Sequence, residues 1–190
     1  MNVVETDIPE VKIIEPSIYR DSRGYFFESF SQREFEERVC KTRFVQDNES
    51  YSTYGILRGM HYQLPPFAQS KLVRVIKGIV LDVAVDVRKG SPTFGKHVAI
   101  ELSEENKRQL FIPRGFAHGF LVLSEDAIFQ YKCDAFYSKE SECAFRWDDP
   151  FININWPIDK AEIKLSDKDA TLPFFEGVTT FDFSESLYEV

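Results

Sequence analysis

The chain has few of the residues that build disulfide frameworks or thiolate metal sites. Its three cysteines, Cys40, Cys133 and Cys143, are odd in number and form no CxxC pair. Reduced thiols in a cytoplasm are the simplest reading. Histidine is equally scarce, with His61, His97 and His118 the only three. A transition metal needs about three N/O ligands in one place. No uninterrupted apolar run approaches the length of a membrane span. The N-terminal stretch to Pro16 carries Glu5, Asp7 and Glu10 and lacks the apolar segment of a secretory signal. Positive charge is outweighed, 23 Lys and Arg against 31 Asp and Glu, for a net charge of −8. That balance argues against nucleic acid as the main partner, yet an anionic small ligand can still sit in a local basic pocket. A dinucleotide-binding glycine fingerprint, an internal repeat and a linker are all missing as well.

Phenylalanine, by contrast, is abundant, at 18 residues, and favours strands and large apolar cores. Residues 1–190 read as one domain of 43% hydrophobic content, enough to bury a sizeable core. Short apolar stretches recur at close, even spacing between glycine and proline punctuation, which predicts an all-β sandwich or barrel. Residues 1–30 read as strands, with a turn at Asp21-Ser-Arg-Gly24. Ile79–Val87 alternates cleanly and predicts a half-buried strand. Two short helices are expected. One spans roughly 31–40, opened by a capping box in which Ser31 and Glu34 exchange bonds. The other begins at Ser166-Asp-Lys-Asp169, inside a more polar C-terminal segment of about 157–190.

The stretch Gly55-Ile-Leu-Arg-Gly-Met-His-Tyr-Gln63 carries an anion-binding group, Arg58, and a proton-transfer group, His61. Beyond it come Pro65-Pro66 and Lys71. A simple hairpin centred near Pro66 would set residues 61 and 71 opposite each other and on one face. An imidazole takes a proton near neutral pH, and a nearby ammonium stabilises the oxyanion that results, which suits proton abstraction beside a carbonyl. Arg58 and His61 have opposite strand parity, so both can face one ligand only if the strand is irregular, and Gly59 is the natural place for a bulge. Tyr131 is a candidate proton donor on the other side of a substrate, and Tyr137 a candidate for stacking on a base. Asp82 and Asp169 are both candidates to orient His61. His97 is given no role.

Pro113-Arg-Gly-Phe-Ala-His118 resembles the second motif of the cupin superfamily. Further motifs occur in one order. They are Asp21-Ser-Arg-Gly-Tyr-Phe-Phe-Glu-Ser29, Phe44-Val-Gln-Asp-Asn48, the 55–63 stretch, Lys71-Leu-Val-Arg74, Asp82–Arg88, Ser91–Gly95, Asn106–Gln109, Ile112–Phe120, Tyr131-Lys132 and Leu165–Asp169. Together they resemble the dTDP-4-dehydrorhamnose 3,5-epimerase family across residues 10–175.

The resemblance implies a cupin-type double-stranded β-helix, a jelly-roll barrel with one or more short helices and no metal or other cofactor. It also implies a homodimer with residues 1–30 at the interface, and a dTDP-sugar as substrate. The implied reaction converts dTDP-4-dehydro-6-deoxy-D-glucose to dTDP-4-dehydro-β-L-rhamnose, an isomerase step of dTDP-L-rhamnose biosynthesis. A 3- or 5-epimerase of a related dTDP-sugar and a non-catalytic nucleotide-sugar-binding cupin are the alternatives. Carried over by position, His61 is the base, Asp169 its orienting partner, Tyr131 the proton donor and Lys71 the stabiliser of the C4 enolate. Arg23, Glu28, Gln46, Asp47, Asn48, Arg58, His118, Glu142 and Lys168 fall at substrate-lining positions, and Tyr137 at the tyrosine that stacks on thymine. Two departures are mild: Met60 stands where leucine is common, and Ala68-Gln-Ser70 precedes Lys71 where a glycine-lysine ending is frequent.

Overall fold

A computed structural model describes residues 1–188. The N-terminal part contains strands β1 (Asn2–Glu5), β2 (Lys12–Glu15), β3 (Tyr19–Asp21) and β4 (Gly24–Phe26), then helix α1 (Gln32–Arg38). The barrel strands follow as β5 (Gln46–Thr53), β6 (Leu57–Gln63), β7 (Lys71–Lys77), β8 (Ile79–Asp86), β9 (Arg88–Lys89) and β10 (His97–Ser103). They continue with β11 (Gln109–Ile112), β12 (Phe116–Val122), β13 (Asp126–Cys133) and β14 (Glu142–Ala144), before α2 (Asp167–Ala170) and β15 (Phe181–Asp182).

Two sheets face each other, as the all-β reading expects. One has the order β1-β2-β11-β7-β13-β5 and the other β10-β8-β12-β6-β14. Every strand pair within them is antiparallel. Val73, Val75, Leu110, Ile112 and Phe129 of the first sheet meet Val80, Ala84, Leu102, Phe120 and Val122 of the second in the space between them. Phe120 and Phe129 stack across that space with ring centroids 4.1 Å apart and planes 14° from parallel.

Each sheet also carries an apolar layer on its outer face. Behind the six-stranded sheet, Phe35 of α1 packs its ring 5.2 Å from Phe111, with Phe30 and Phe44 around it. Behind the five-stranded sheet, Val83, Val85 and Leu121 are covered by Trp147, Trp156, Phe175 and Phe181 from the C-terminal third. That segment is polar by composition, but its scattered aromatics are what close the outer face.

This layering corrects the reading of β8 as half-buried. Val80, Asp82 and Ala84 face the lumen, Val83 and Val85 face the outer layer, and all five are buried. The period-two pattern held; the second face is simply covered too.

Two further expectations change. Ser31 does precede α1, but its side chain makes no cap bond. Glu34 cannot complete a capping box because its carboxylate pairs with the Met1 ammonium at 3.4 Å. Nor do β6 and β7 form a hairpin. The 64–70 connection carries the chain from one sheet to the other, so β6 lies beside β12 and β14 while β7 lies beside β11 and β13. Gln63 holds this connection, donating from Nε2 to the Phe67 carbonyl at 2.7 Å.

Candidate active site

The open end of the lumen holds two adjoining cavities. One, of about 510 Å³, is lined by Arg58, His61, Lys71, His118, Phe120, Tyr131, Lys168 and Asp169. The other, of about 370 Å³, adds Gln46, Asn48, Tyr137 and Glu142, and shares His61, Lys71 and Tyr131 with the first. Those three shared residues therefore sit where the cavities meet. His61 belongs to the five-stranded wall, whereas Lys71 and Tyr131 belong to the six-stranded wall. The expected convergence of His61 with Lys71 is real, but it spans the lumen between two sheets and is not a cross-strand pair.

Gly59 supplies the expected irregularity. The pairing of β12 with β6 shifts register between His118 and Phe120, so that His118 lies opposite His61 and Phe120 opposite Arg58. Gly59 takes a φ of +145°, a region that L side chains avoid, and a Cβ there would lie 2.6 Å from the Gly119 Cα. The slip brings Arg58 and His61 to one cavity. Arg58 is steadied by Ser52, whose Oγ accepts from Nε at 3.1 Å and from Nη2 at 3.0 Å.

The choice between Asp169 and Asp82 resolves into two separate pairs. His61 Nε2 meets Asp169 Oδ1 at 2.7 Å. His118 Nε2 meets Asp82 Oδ2 at 2.9 Å, deeper in the lumen. Asp169 is delivered by α2, whose N-cap Ser166 accepts from the Asp169 amide at 3.1 Å, as its sequence predicts. Burial pushes the Asp169 carboxyl up, but the His61 hydrogen bond and charge, the Ser166 hydroxyl and the Gly59 amide hold it below its usual value. Burial depresses the Lys71 ammonium, with Cys133, Asp82 and Glu142 opposing the shift. The Tyr131 phenol is pushed up by burial and by Cys133, so it keeps its proton at neutral pH.

At the outer end, Lys168 Nζ pairs with Glu142 Oε2 at 2.6 Å, and the Tyr137 hydroxyl donates to the same oxygen at 3.1 Å. Gln46 donates to Asn48 at 3.0 Å on the cavity side of β5. Asp47, between them, points the other way by strand alternation and pairs with Lys132 at 2.9 Å. The structure therefore does not bring Asp47 to the site within this chain. Arg23 pairs with Asp21 on the exposed β3–β4 hairpin, and Glu28 lines a different cavity beside α1. Neither reaches the His61 cavity in a single chain. Ser52, Phe120 and Ser50 were not anticipated as site residues. Only their place on β5 and β12, beside residues that were, could have suggested them.

A two-sheet cupin-type barrel with a histidine–carboxylate pair facing a phenol across a cation-lined lumen defines a carbohydrate epimerase. The family model for dTDP-4-dehydrorhamnose 3,5-epimerase matches residues 5–177, and the chain belongs to that family. It is 60% identical to the enzyme of that name from Shigella flexneri over 170 residues, covering 89% of this chain and 93% of the relative. Identity to the Salmonella typhimurium enzyme is 52% over 177 residues, covering 93% and 96%. The crystal structure of the Legionella pneumophila dTDP-6-deoxy-D-glucose-3,5-epimerase in complex with dTDP-4-keto-L-rhamnose superposes with a TM-score of 0.93 at 49% identity, over 97% of this chain and 99% of that one.

Proposed function

We propose that this protein converts dTDP-4-dehydro-6-deoxy-D-glucose to dTDP-4-dehydro-β-L-rhamnose by inverting C3 and C5, a step of dTDP-L-rhamnose biosynthesis. The observation that carries the reading is the placement of His61 and Tyr131 on opposite walls, with Lys71 beside Tyr131. The C4 ketone acidifies the hydrogens on both neighbouring carbons. His61 removes the proton from one ring face, and Asp169 holds the imidazole in a single tautomer and stabilises its protonated form. The electrons move onto the C4 oxygen, where the Lys71 ammonium meets the negative charge. Tyr131 then returns a proton from the opposite face, which inverts the carbon. The charge forms on the same oxygen in both epimerisations, so one cation serves both. Arg58, His118 and Lys168 are assigned to the nucleotide sugar, with Gln46, Asn48 and Glu142 at the outer cavity and Tyr137 stacking on thymine.

NMR of the substrate in D2O, with a rhamnose-forming reductase added, tests this assignment. Deuterium at both C3 and C5 and formation of L-rhamnose are expected. Exchange at one carbon only would make the protein a mono-epimerase, and exchange at neither a binding protein. Replacing Tyr131 with phenylalanine should leave initial loss of the substrate hydrogens within a few-fold of the parent but slow product formation by about 10²-fold or more. Equal retention of both steps would remove the acid role.

Arg23 and Glu28 fit the same reading as residues lent to the site of a second copy. Tyr19 and Phe26 on their hairpin are 67% and 71% exposed, a surface suited to a homodimer. Sedimentation of the protein as a monomer at working concentration would refute that assembly. The three free thiols suit a cytoplasmic enzyme, which cell fractionation would check.

A further inference from the structure

Lys71 is the cation that the proposed mechanism places at the enolate. Among the described residues no hydrogen bond or ion pair holds its ammonium, and the Tyr131 ring lies 6.0 Å away. Its own backbone is the first residue of β7, paired with Ile112 on one side and Cys133 on the other, and the connection from β6 is fixed immediately before it. The residue before it, Ser70, is fully buried. The Ser70 amide donates to Asp134 Oδ1 at 2.6 Å, and the Asp134 amide donates back to the Ser70 carbonyl at 3.3 Å. The Ser70 hydroxyl has a different partner, the phenol of Tyr188, at 2.7 Å.

Tyr188 arrives on the strap that follows β15, beyond residue 177, where the family match ends. Arg114 locks this strap in place. Its Nη1 donates to the Leu187 carbonyl at 2.7 Å, its amide donates to the Tyr188 oxygen at 3.0 Å, and its Nε donates to Asp134 Oδ2 at 3.1 Å. The Tyr188 oxygen accepts from the Arg114 amide, and in its bond with Ser70 Oγ either hydroxyl can be the donor. Tyr188, Ser70, Asp134 and Arg114 thus close a ring of hydrogen bonds directly behind Lys71.

We propose that Tyr188 is a positioning residue for Lys71: by clasping Ser70, the C-terminal strap fixes the bend from which the lysine enters the lumen. A long side chain with no partner of its own is only as well placed as its first atoms, and small misplacements of a reacting group are costly. The proposal rests on reading Lys71 as the enolate cation.

Tyr188→Phe removes one oxygen and keeps the ring under the Arg114 guanidinium. The rate of deuterium exchange at saturating substrate should fall about three- to tenfold, with KM and dTDP affinity unchanged. Ser70→Ala should lose as much, and the double variant should be no slower than either single one. A purely structural bond would lower the melting temperature and leave kcat in place. That result, or losses that multiply in the double variant, would overturn the proposal. Lys71→Ala, measured alongside, separates the two layers. Retained exchange in it would overturn the role of Lys71 itself. Lost exchange in it beside an unaffected Tyr188→Phe would overturn the strap alone.

Discussion

Alanine in place of His61 is expected to stop the exchange of the substrate C3 and C5 hydrogens with D2O while dTDP still binds. General-base catalysis contributes about 10²–10⁴-fold, and both carbons depend on the same imidazole, so both should lose exchange together. Asp169 engages one ring nitrogen at 2.7 Å, which leaves the other for the substrate. The His61 side chain is 29% exposed and its partner 5%, as suits a base that faces the cavity with its carboxylate behind it. The charges assigned to the nucleotide, Arg58 and Lys168, are anchored by Ser52 and Glu142 and do not rely on the imidazole. Binding of dTDP, followed by calorimetry, should therefore survive. Undiminished exchange in the variant would sink the assignment of the base.

The second large effect is expected at Asp169. An asparagine there preserves shape but removes the charge that fixes the tautomer and stabilises the imidazolium. In an analogous histidine–aspartate pair such a change costs about 10⁴-fold in kcat, and a loss of at least about 10³-fold is expected here, with little change in KM. Asp82→Asn is the informative comparison. Its carboxylate lies behind His118, 2.9 Å from that ring, so it should cost far less in proton abstraction. A larger loss at Asp82 than at Asp169 would show that the wrong carboxylate has been paired with the base.

Much of this site was legible before any coordinates. The conflict of parity between Arg58 and His61 pointed to Gly59, because a strand can put both on one side only by slipping a residue. The Ser166–Asp169 signal was local and therefore readable: a capping serine and the residue three positions on touch whatever the rest of the fold does. Long-range geometry was less legible. Two strands joined by a proline-rich loop look like a hairpin in sequence, and nothing local says that the loop crosses between sheets. The alternation of β8 likewise identified two faces but not what would cover the second. Parity could have excluded Asp47, since it cannot share the lumen side of β5 with both Gln46 and Asn48. Arg23 and Glu28 raise a different difficulty: under the proposed homodimer they would serve a second copy, and nothing local in the sequence distinguishes such residues from an ordinary exposed turn.

The stacked pair of Phe120 and Phe129 has a consequence for how this enzyme can change. The two rings come from opposite walls, and His61 and Tyr131, the proposed base and acid, are mounted on those same walls. The rings thus act as a spacer between the wall that carries His61 and the wall that carries Tyr131. Each wall also has its own apolar backing, α1 on one side and the C-terminal aromatics on the other. A substitution in either backing would shift one reacting group relative to the other without touching the lumen. The spacing of the two walls is thus reached from outside the cavity, through the packing behind each sheet.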